Sequence, residues 1–207
     1  METPAARAQR IGGLVLAAGE ARRFGSPKQL ALLGGRPLLE HALLAMARAR
    51  SVDVAVVVLG AHAAAVRSAI DLHGAEPLVC ADWAEGQSAS LRAGVGALAE
   101  RVEAIAVILG DQPLIDPRAI DRVVAARDGA AVALRASYGG RPGHPVLVER
   151  GLFGATMSLR GDLGARELLA GAAVRLVPCD GLGDDLDVDL REQLDGGLSA
   201  GGSSPPH

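Results

Sequence analysis

Lysine is nearly missing from this chain: of 21 basic side chains, Lys28 is the only lysine and the others are arginines. Aromatic residues are also scarce, with one Trp, one Tyr and two Phe. The core must therefore be built from Ala, Val, Leu and Ile. The two cysteines, Cys80 and Cys179, lie far apart, lack metal-ligand spacing and each close an apolar run. They read as reduced core residues of a cytoplasmic protein. No apolar run approaches the ~20 residues of a membrane span. Residues Met1 to Arg10 contain no hydrophobic stretch of a secretory signal. A formal net charge of −3 gives no basic footprint for nucleic acid.

What is present is a long alternation of short apolar runs and amphipathic stretches. Ile11 to Ala17, Val52 to Leu59, Glu76 to Cys80, Ala104 to Leu109 and Ala130 to Arg135 read as strands without polar alternation. Between them, Pro37 to Arg50, Ala63 to Leu72, Ser88 to Glu100 and Asp116 to about Arg127 read as helices. Asp116 serves the last as cap, with Pro117 at its first position. This order predicts an α/β fold of three layers, with a mostly parallel sheet covered on both faces. From Ser137 the pattern changes to a glycine- and proline-rich loop that runs into a strand. Short helices at Arg150 to Ser158 and Leu163 to Leu169 and a strand at Ala173 to Val177 complete a small antiparallel extension. One domain over residues 1–195 and a low-complexity, disordered tail over 196–207 are expected.

In an open α/β sheet, ligands bind beyond the carboxyl ends of the strands. The first such segment is Ala17 to Lys28, AAGEARRFGSPK. Its small residues let successive N–H groups face an anion, and Arg22, Arg23 and Lys28 add positive charge. It is neither a Walker loop nor GxGxxG. A lone lysine among arginines marks a position where a compact ammonium on a thin stem is needed, as against a phosphate. The second segment is GDQP, Gly110 to Pro113, where Asp111 can take part in holding Mg²⁺. The third is DDLDVD, Asp184 to Asp189, whose Asp187 and Asp189 share one face of an extended chain and offer a second metal arm. Gly60 closes the second strand, Gly86 breaks the chain before Ser88 and Ser90 open a helix, and His144 sits within GGRPGHP. Ser before a helix is also ordinary capping, and a lone histidine is more often structural than catalytic.

Together these segments resemble the MobA-like nucleotidyltransferases. The opening LAAG-x-x-x-R-x-G-x-x-K is matched at Leu16, Ala17, Ala18, Gly19, Arg23, Gly25 and Lys28, and GDQP at Gly110, Asp111, Gln112 and Pro113. Three further motifs resemble the branch of molybdenum cofactor cytidylyltransferases: Gly86, Ser88, Ser90 and Leu91 to Gly94; Pro142 to Val146; and Gly161, Asp162, Gly164, Ala165 and Arg166. The acidic stretch departs from that branch after Asp189, where Leu190, Arg191 and Gln193 stand.

The resemblance implies transfer of CMP from CTP to molybdopterin, with release of pyrophosphate and Mg²⁺ or Mn²⁺ as cofactor. It implies a catalytic set of Arg23, Lys28 and Asp111. Leu16, Ala17, Ala18, Gly19, Gly60, Gly86, Ser88 and Ser90 would bind the nucleotide with them. Gln112, Pro113, Gly143, His144, Pro145, Gly161, Asp162 and Gly164 would bind the molybdenum cofactor, and Asp111 with Asp189 or Asp187 the metal. A recipient molybdoenzyme would follow as partner. In the molybdenum branch LAAG goes with cytidylyl and LAGG with guanylyl transfer, so Ala18 favours CTP over GTP. The alternatives within the fold are an isoprenoid-pathway cytidylyltransferase and a GTP-using molybdenum cofactor enzyme. An alternative outside catalysis is a molybdenum cofactor carrier.

Overall fold

The computed structural model describes residues 10–20, 26–161, 169 and 174–183. In chain order its regular elements are β1 (Ile11–Ala17), a two-stranded hairpin β2 (Leu32–Leu33) and β3 (Arg36–Pro37), α1 (Leu38–Arg48), β4 (Val54–Leu59), α2 (Ala63–Ala69), β5 (Glu76–Val79), α3 (Gln87–Leu98), β6 (Ala104–Leu109), α4 (Pro117–Ala125), β7 (Ala133–Tyr138), β8 (Arg141–Glu149), α5 (Phe153–Thr156) and β9 (Val174–Pro178). Seven strands form one sheet in the order β5-β4-β1-β6-β8-β7-β9. β1 runs parallel to β4 and β6, and β4 parallel to β5. β8 is antiparallel to both neighbours, and β7 and β9 run parallel to each other. β8 is therefore the one strand that opposes the rest of the sheet.

Each central strand is apolar on both faces because each face meets a helix layer. In β4, Val57 and Leu59 join a core cluster with Leu39, Leu43 and Met46 of α1 and Ile120 and Val123 of α4. Val56 and Val58 point the other way, into a second cluster with Leu91, Val95 and Leu98 of α3 and Phe153 of α5. Period-2 alternation thus divides one valine run between two cores. α3 lies so close to β1 that a Cβ on Gly94 would stand 2.3 Å from Leu14 Cδ1, so part of the SLRAG motif serves packing. At Asp116 the expected cap is present: its carboxylate accepts from the Arg118 N–H, with Pro117 at the start of α4. Cys80 and Cys179 are free and buried.

Two expectations need correction. The GGRPGHP segment is not a long loop. Gly139 and Gly140, both at positive φ, make a two-residue turn between the paired Tyr138 and Arg141, and β8 begins at once. Positive φ at both central residues is what a tight hairpin demands, and paired glycines supply it. The antiparallel piece is also not peripheral: β8 is inserted between β6 and β7. The ladder between β6 and β8 stops at Val107 with Val146, so Pro142 and Pro145, which cannot donate, fall outside it. The second short helix and the tail lie outside the described residues, Leu169 excepted.

Candidate active site

A cleft of about 550 Å³ opens at the carboxyl ends of the parallel strands, lined by the turns after β1 and β6 and by the start of α3. Small side chains at Ala17 and Ala18 let the turn after β1 bend directly off the strand. The amide of Gln29 then fixes that turn: its Nε2 donates to the carbonyls of Ala17 and Gly19, both at 2.9 Å. With those two carbonyls held on one side, the backbone between them is fixed at the wall of the cleft. Pro27 starts a single helical turn, Lys28–Leu30, that brings Gln29 and Lys28 to their places.

Lys28 Nζ donates to Asp111 Oδ2 at 2.7 Å, across 83 residues of sequence. The Lys28 side chain is 11% exposed and that of Asp111 33%, so the ammonium is largely enclosed while the carboxylate still meets solvent. The turn after β6 is tied to β1 by the Gly110 N–H, which donates to the Leu16 carbonyl. Charge of both signs thus meets in the middle of the cleft. Such an arrangement suits a ligand that carries negative charge and a divalent cation together, since the ligand can face Lys28 and the cation Asp111. Among the described residues no group of three metal-ligating side chains occurs. Asp111 fits a magnesium or manganese ion held largely by phosphate oxygens and water.

On the far side, Gly86 adopts φ 108° and breaks the chain ahead of α3, and Gln87 and Ser90 face the cleft. Ser88 does not. It is fully buried, its N–H donates to the Gly161 carbonyl, and its hydroxyl accepts from Arg92. Arg92 also donates to the Leu159 carbonyl and to Glu85, so one guanidinium joins three segments around the start of α3.

The other expected residues divide into groups. Leu16, Ala17, Ala18, Gly19, Lys28, Gly86, Ser90 and Asp111 line the cleft. Gly60 is not part of that lining; a Cβ there would lie 2.2 Å from the Ala18 carbonyl oxygen and 2.8 Å from Trp83 Cβ. Its role is close packing beneath the cleft wall. Gln112 and Pro113 are buried behind Asp111. Gly143, His144 and Pro145 belong to β8, with the carbonyls of Gly143 and His144 satisfied by Arg135 and Tyr138. Because β8 opposes β6, this part of it lies at the carboxyl end of the sheet. Burial, and then the charge of Arg135, push the His144 imidazole down to about 4, so it is neutral near pH 7. Arg23, Asp162, Gly164, Asp187 and Asp189 lie outside the described residues. The chain entering the acidic stretch is nevertheless anchored near the site: Gly183 bridges Ile115, four residues beyond Asp111. Glu20, Gln29, Trp83, Ala84, Gln87 and Leu109 also line the cleft, beyond the individual residues expected to bind the nucleotide. Gln29 adjoins the lone lysine, and Trp83 is the lone tryptophan; rarity was the available signal for both.

A sheet of this order, a small-residue turn after β1 and a lysine–aspartate pair across the strand ends suit a nucleotidyltransferase. The chain belongs to the MobA-like NTP transferase family, whose domain it matches over residues 13–177. It is 32% identical to Rv0371c from Mycobacterium tuberculosis H37Rv, covering 91% of this chain and 97% of that one with a TM-score of 0.79. A manganese complex of that protein superposes with a TM-score of 0.77 at 31% identity, covering 90% and 98%. The nicotine blue oxidoreductase of Paenarthrobacter nicotinovorans is 34% identical over 195 residues, 89% of this chain and 94% of that protein. A 2-C-methyl-D-erythritol 4-phosphate cytidylyltransferase from Streptomyces avermitilis is 33% identical over 140 residues, 64% of this chain but only 56% of its own length. No helix among the described residues is long and apolar enough to cross a membrane.

Proposed function

We propose that this nucleotidyltransferase moves CMP from CTP to molybdopterin, giving molybdopterin cytosine dinucleotide and pyrophosphate. The observation that carries the transfer is the Lys28–Asp111 pair inside the cleft. An oxygen of the acceptor's phosphate attacks the α-phosphorus in line; that P–O bond forms as the bond to the β-phosphate oxygen breaks, and pyrophosphate leaves with the charge. The acceptor brings the nucleophile, so positioning and charge stabilisation are what the protein supplies. Lys28 turns from Asp111 to the phosphates and, with Arg23, offsets the charge on the departing pyrophosphate. Asp111, with Asp189 or Asp187, would hold the divalent ion. That ion, when bound, withdraws charge from the α-phosphate. Manganese in the Rv0371c complex supports a divalent requirement in this family. The turn that follows β1, at Ala18 and Gly19, receives the phosphates on its N–H groups, and Ser90 with the backbone at Gly86 receives the ribose.

The choice of CTP rests on Ala18, where a second glycine would leave more room, and on the similarity to a cytidylyltransferase. The acceptor rests on the motifs at Pro142 to Val146 and Gly161 to Arg166. The oxidoreductase relative favours a second reading, in which the cleft takes a redox substrate. The test is to incubate the purified chain with a nucleotide panel, Mg²⁺ or Mn²⁺ and molybdopterin, scoring pyrophosphate, with oxidation of a reduced nicotinamide cofactor in the presence of an oxidised dye as a parallel arm. Pyrophosphate from CTP but not GTP is the expected result. Pyrophosphate released from CTP when 2-C-methyl-D-erythritol 4-phosphate, and not molybdopterin, is the acceptor would overturn the choice of acceptor. Reductant consumption without pyrophosphate would overturn the reaction class.

A further inference from the structure

The one tryptophan of this aromatic-poor chain stands in the wall of the cleft. Of the other aromatic side chains described, Tyr138 is buried with its hydroxyl on the His144 carbonyl, and Phe153 of α5 is buried in the core cluster that includes α3. Trp83 alone among the described aromatic side chains lines the cleft, and it is only partly buried, packed against the second core cluster.

The chain is shaped to hold it there. Trp83–Glu85 is a single helical turn, closed when the Glu85 N–H donates to the Asp82 carbonyl and the Gly86 N–H to the Trp83 carbonyl. Glu85 is gripped by Arg92 at 2.9 Å, which fixes the turn to α3. Beneath, the missing Cβ of Gly60 is what lets Trp83 and the Ala18 carbonyl approach each other. Gly60 directly follows β4, so Trp83 stands over the end of β4, while Asp111 follows β6 on the other side of β1. Two strand spacings separate those ends, roughly 10 Å. Lys28 and Asp111 therefore stand on the β6 side of the cleft, and the lining residues Trp83, Gly86 and Ser90 away from them carry no charge; Ala18 and Glu20 follow β1 between the two.

We infer that Trp83 is the base-contacting residue of the nucleotide site: the nucleobase of the triphosphate packs on the indole, with its phosphates reaching Lys28. This rests on the nucleotidyl-transfer reading and adds to it the residue that receives the base. Every base has a π-face, so such stacking secures affinity and leaves the choice among bases to neighbours such as Ala18. A purely structural Trp83 would need to face only Gly60 and the core, whereas this one also borders the cleft.

Because Trp83 is the sole tryptophan, its fluorescence reports this one position. CTP with Mg²⁺ should change the emission saturably, and inorganic tripolyphosphate with Mg²⁺, which lacks a base, should not. Trp83→Leu should raise the KM for CTP about ten-fold with kcat within about two-fold, and Trp83→Phe should recover most of the loss. The calorimetric affinity for tripolyphosphate should be the same in both variants as in the parent, which also reports that they fold. Tripolyphosphate changing the emission as much as CTP, or CTP binding Trp83→Leu as tightly as the parent, would overturn the inference. Failure of the parent protein to bind any nucleoside triphosphate would instead overturn the nucleotidyl-transfer reading itself, and this inference with it.

Discussion

Gln29 shows how a single side chain can shape a binding loop. It is buried, its Nε2 holds the carbonyls of Ala17 and Gly19, and its Oε1 has no hydrogen-bond partner among the described residues. Replacement by Leu would leave both carbonyls without their donor, a loss of about 1–3 kcal/mol. We expect Gln29→Leu to lower the unfolding free energy by that amount and to raise the KM for the nucleotide, measured by denaturant titration and steady-state kinetics. His144 gives a pH dependence. As pH falls below the ordinary 6.5, the unfolded chain takes up a proton on this residue, while the folded chain resists until about 4. Stability contributed above 6.5 is therefore lost across that window, by about 1–3 kcal/mol. His144→Gln should flatten that slope in denaturation curves from pH 7 to 4; an unchanged slope would assign it to other groups. Lys28 and Asp111 were each readable from type and neighbourhood. Their mutual contact was not, because 83 residues separate them and no local spacing encodes a contact made through the sheet.

The elements most legible in the sequence were those buried on both sides. β1 and β6 occupy Ile11–Ala17 and Ala104–Leu109 as expected, because an apolar run bounded by glycine leaves little choice. Boundaries moved where polar residues flank the run: β7 begins at Ala133 instead of Ala130 and continues to Tyr138. β8 was misread because proline and glycine locally favour a loop. The pairing of Arg141 to Glu149 with β7, and of its carboxyl half with β6, outweighs that preference. Ser88 is a related case. The sequence placed it at a helix start, but only the tertiary fold shows that Gly161 takes its N–H and turns it from the cleft. At α4 the local signal and the structure agree. Asp116→Ala removes the cap on the Arg118 N–H, and about 1 kcal/mol of stability should go with it. In a chain of this size that is a fall in melting temperature of about 2–4 °C by calorimetry, with activity unchanged.

For the whole molecule, the two core clusters hold a sheet whose carboxyl edge collects the turns after β1, β4 and β6 and the segment that follows β5. The parallel half was legible because alternating strands and helices have few topologies available. The antiparallel insertion of β8 was not, since sheet order depends on pairings between segments distant in sequence. The family match extends across both halves, over residues 13–177. The central claim is that the Lys28–Asp111 cleft is the seat of nucleotidyl transfer. It is tested most directly by pyrophosphate release from CTP, Mg²⁺ and molybdopterin, comparing the parent chain with Lys28→Ala. We predict turnover by the parent and a loss of about 100-fold or more in the variant, the scale seen when one charge-stabilising donor is removed, with thermal unfolding little altered. A variant that folds and releases pyrophosphate within about two-fold of the parent rate, far short of that loss, would contradict the account.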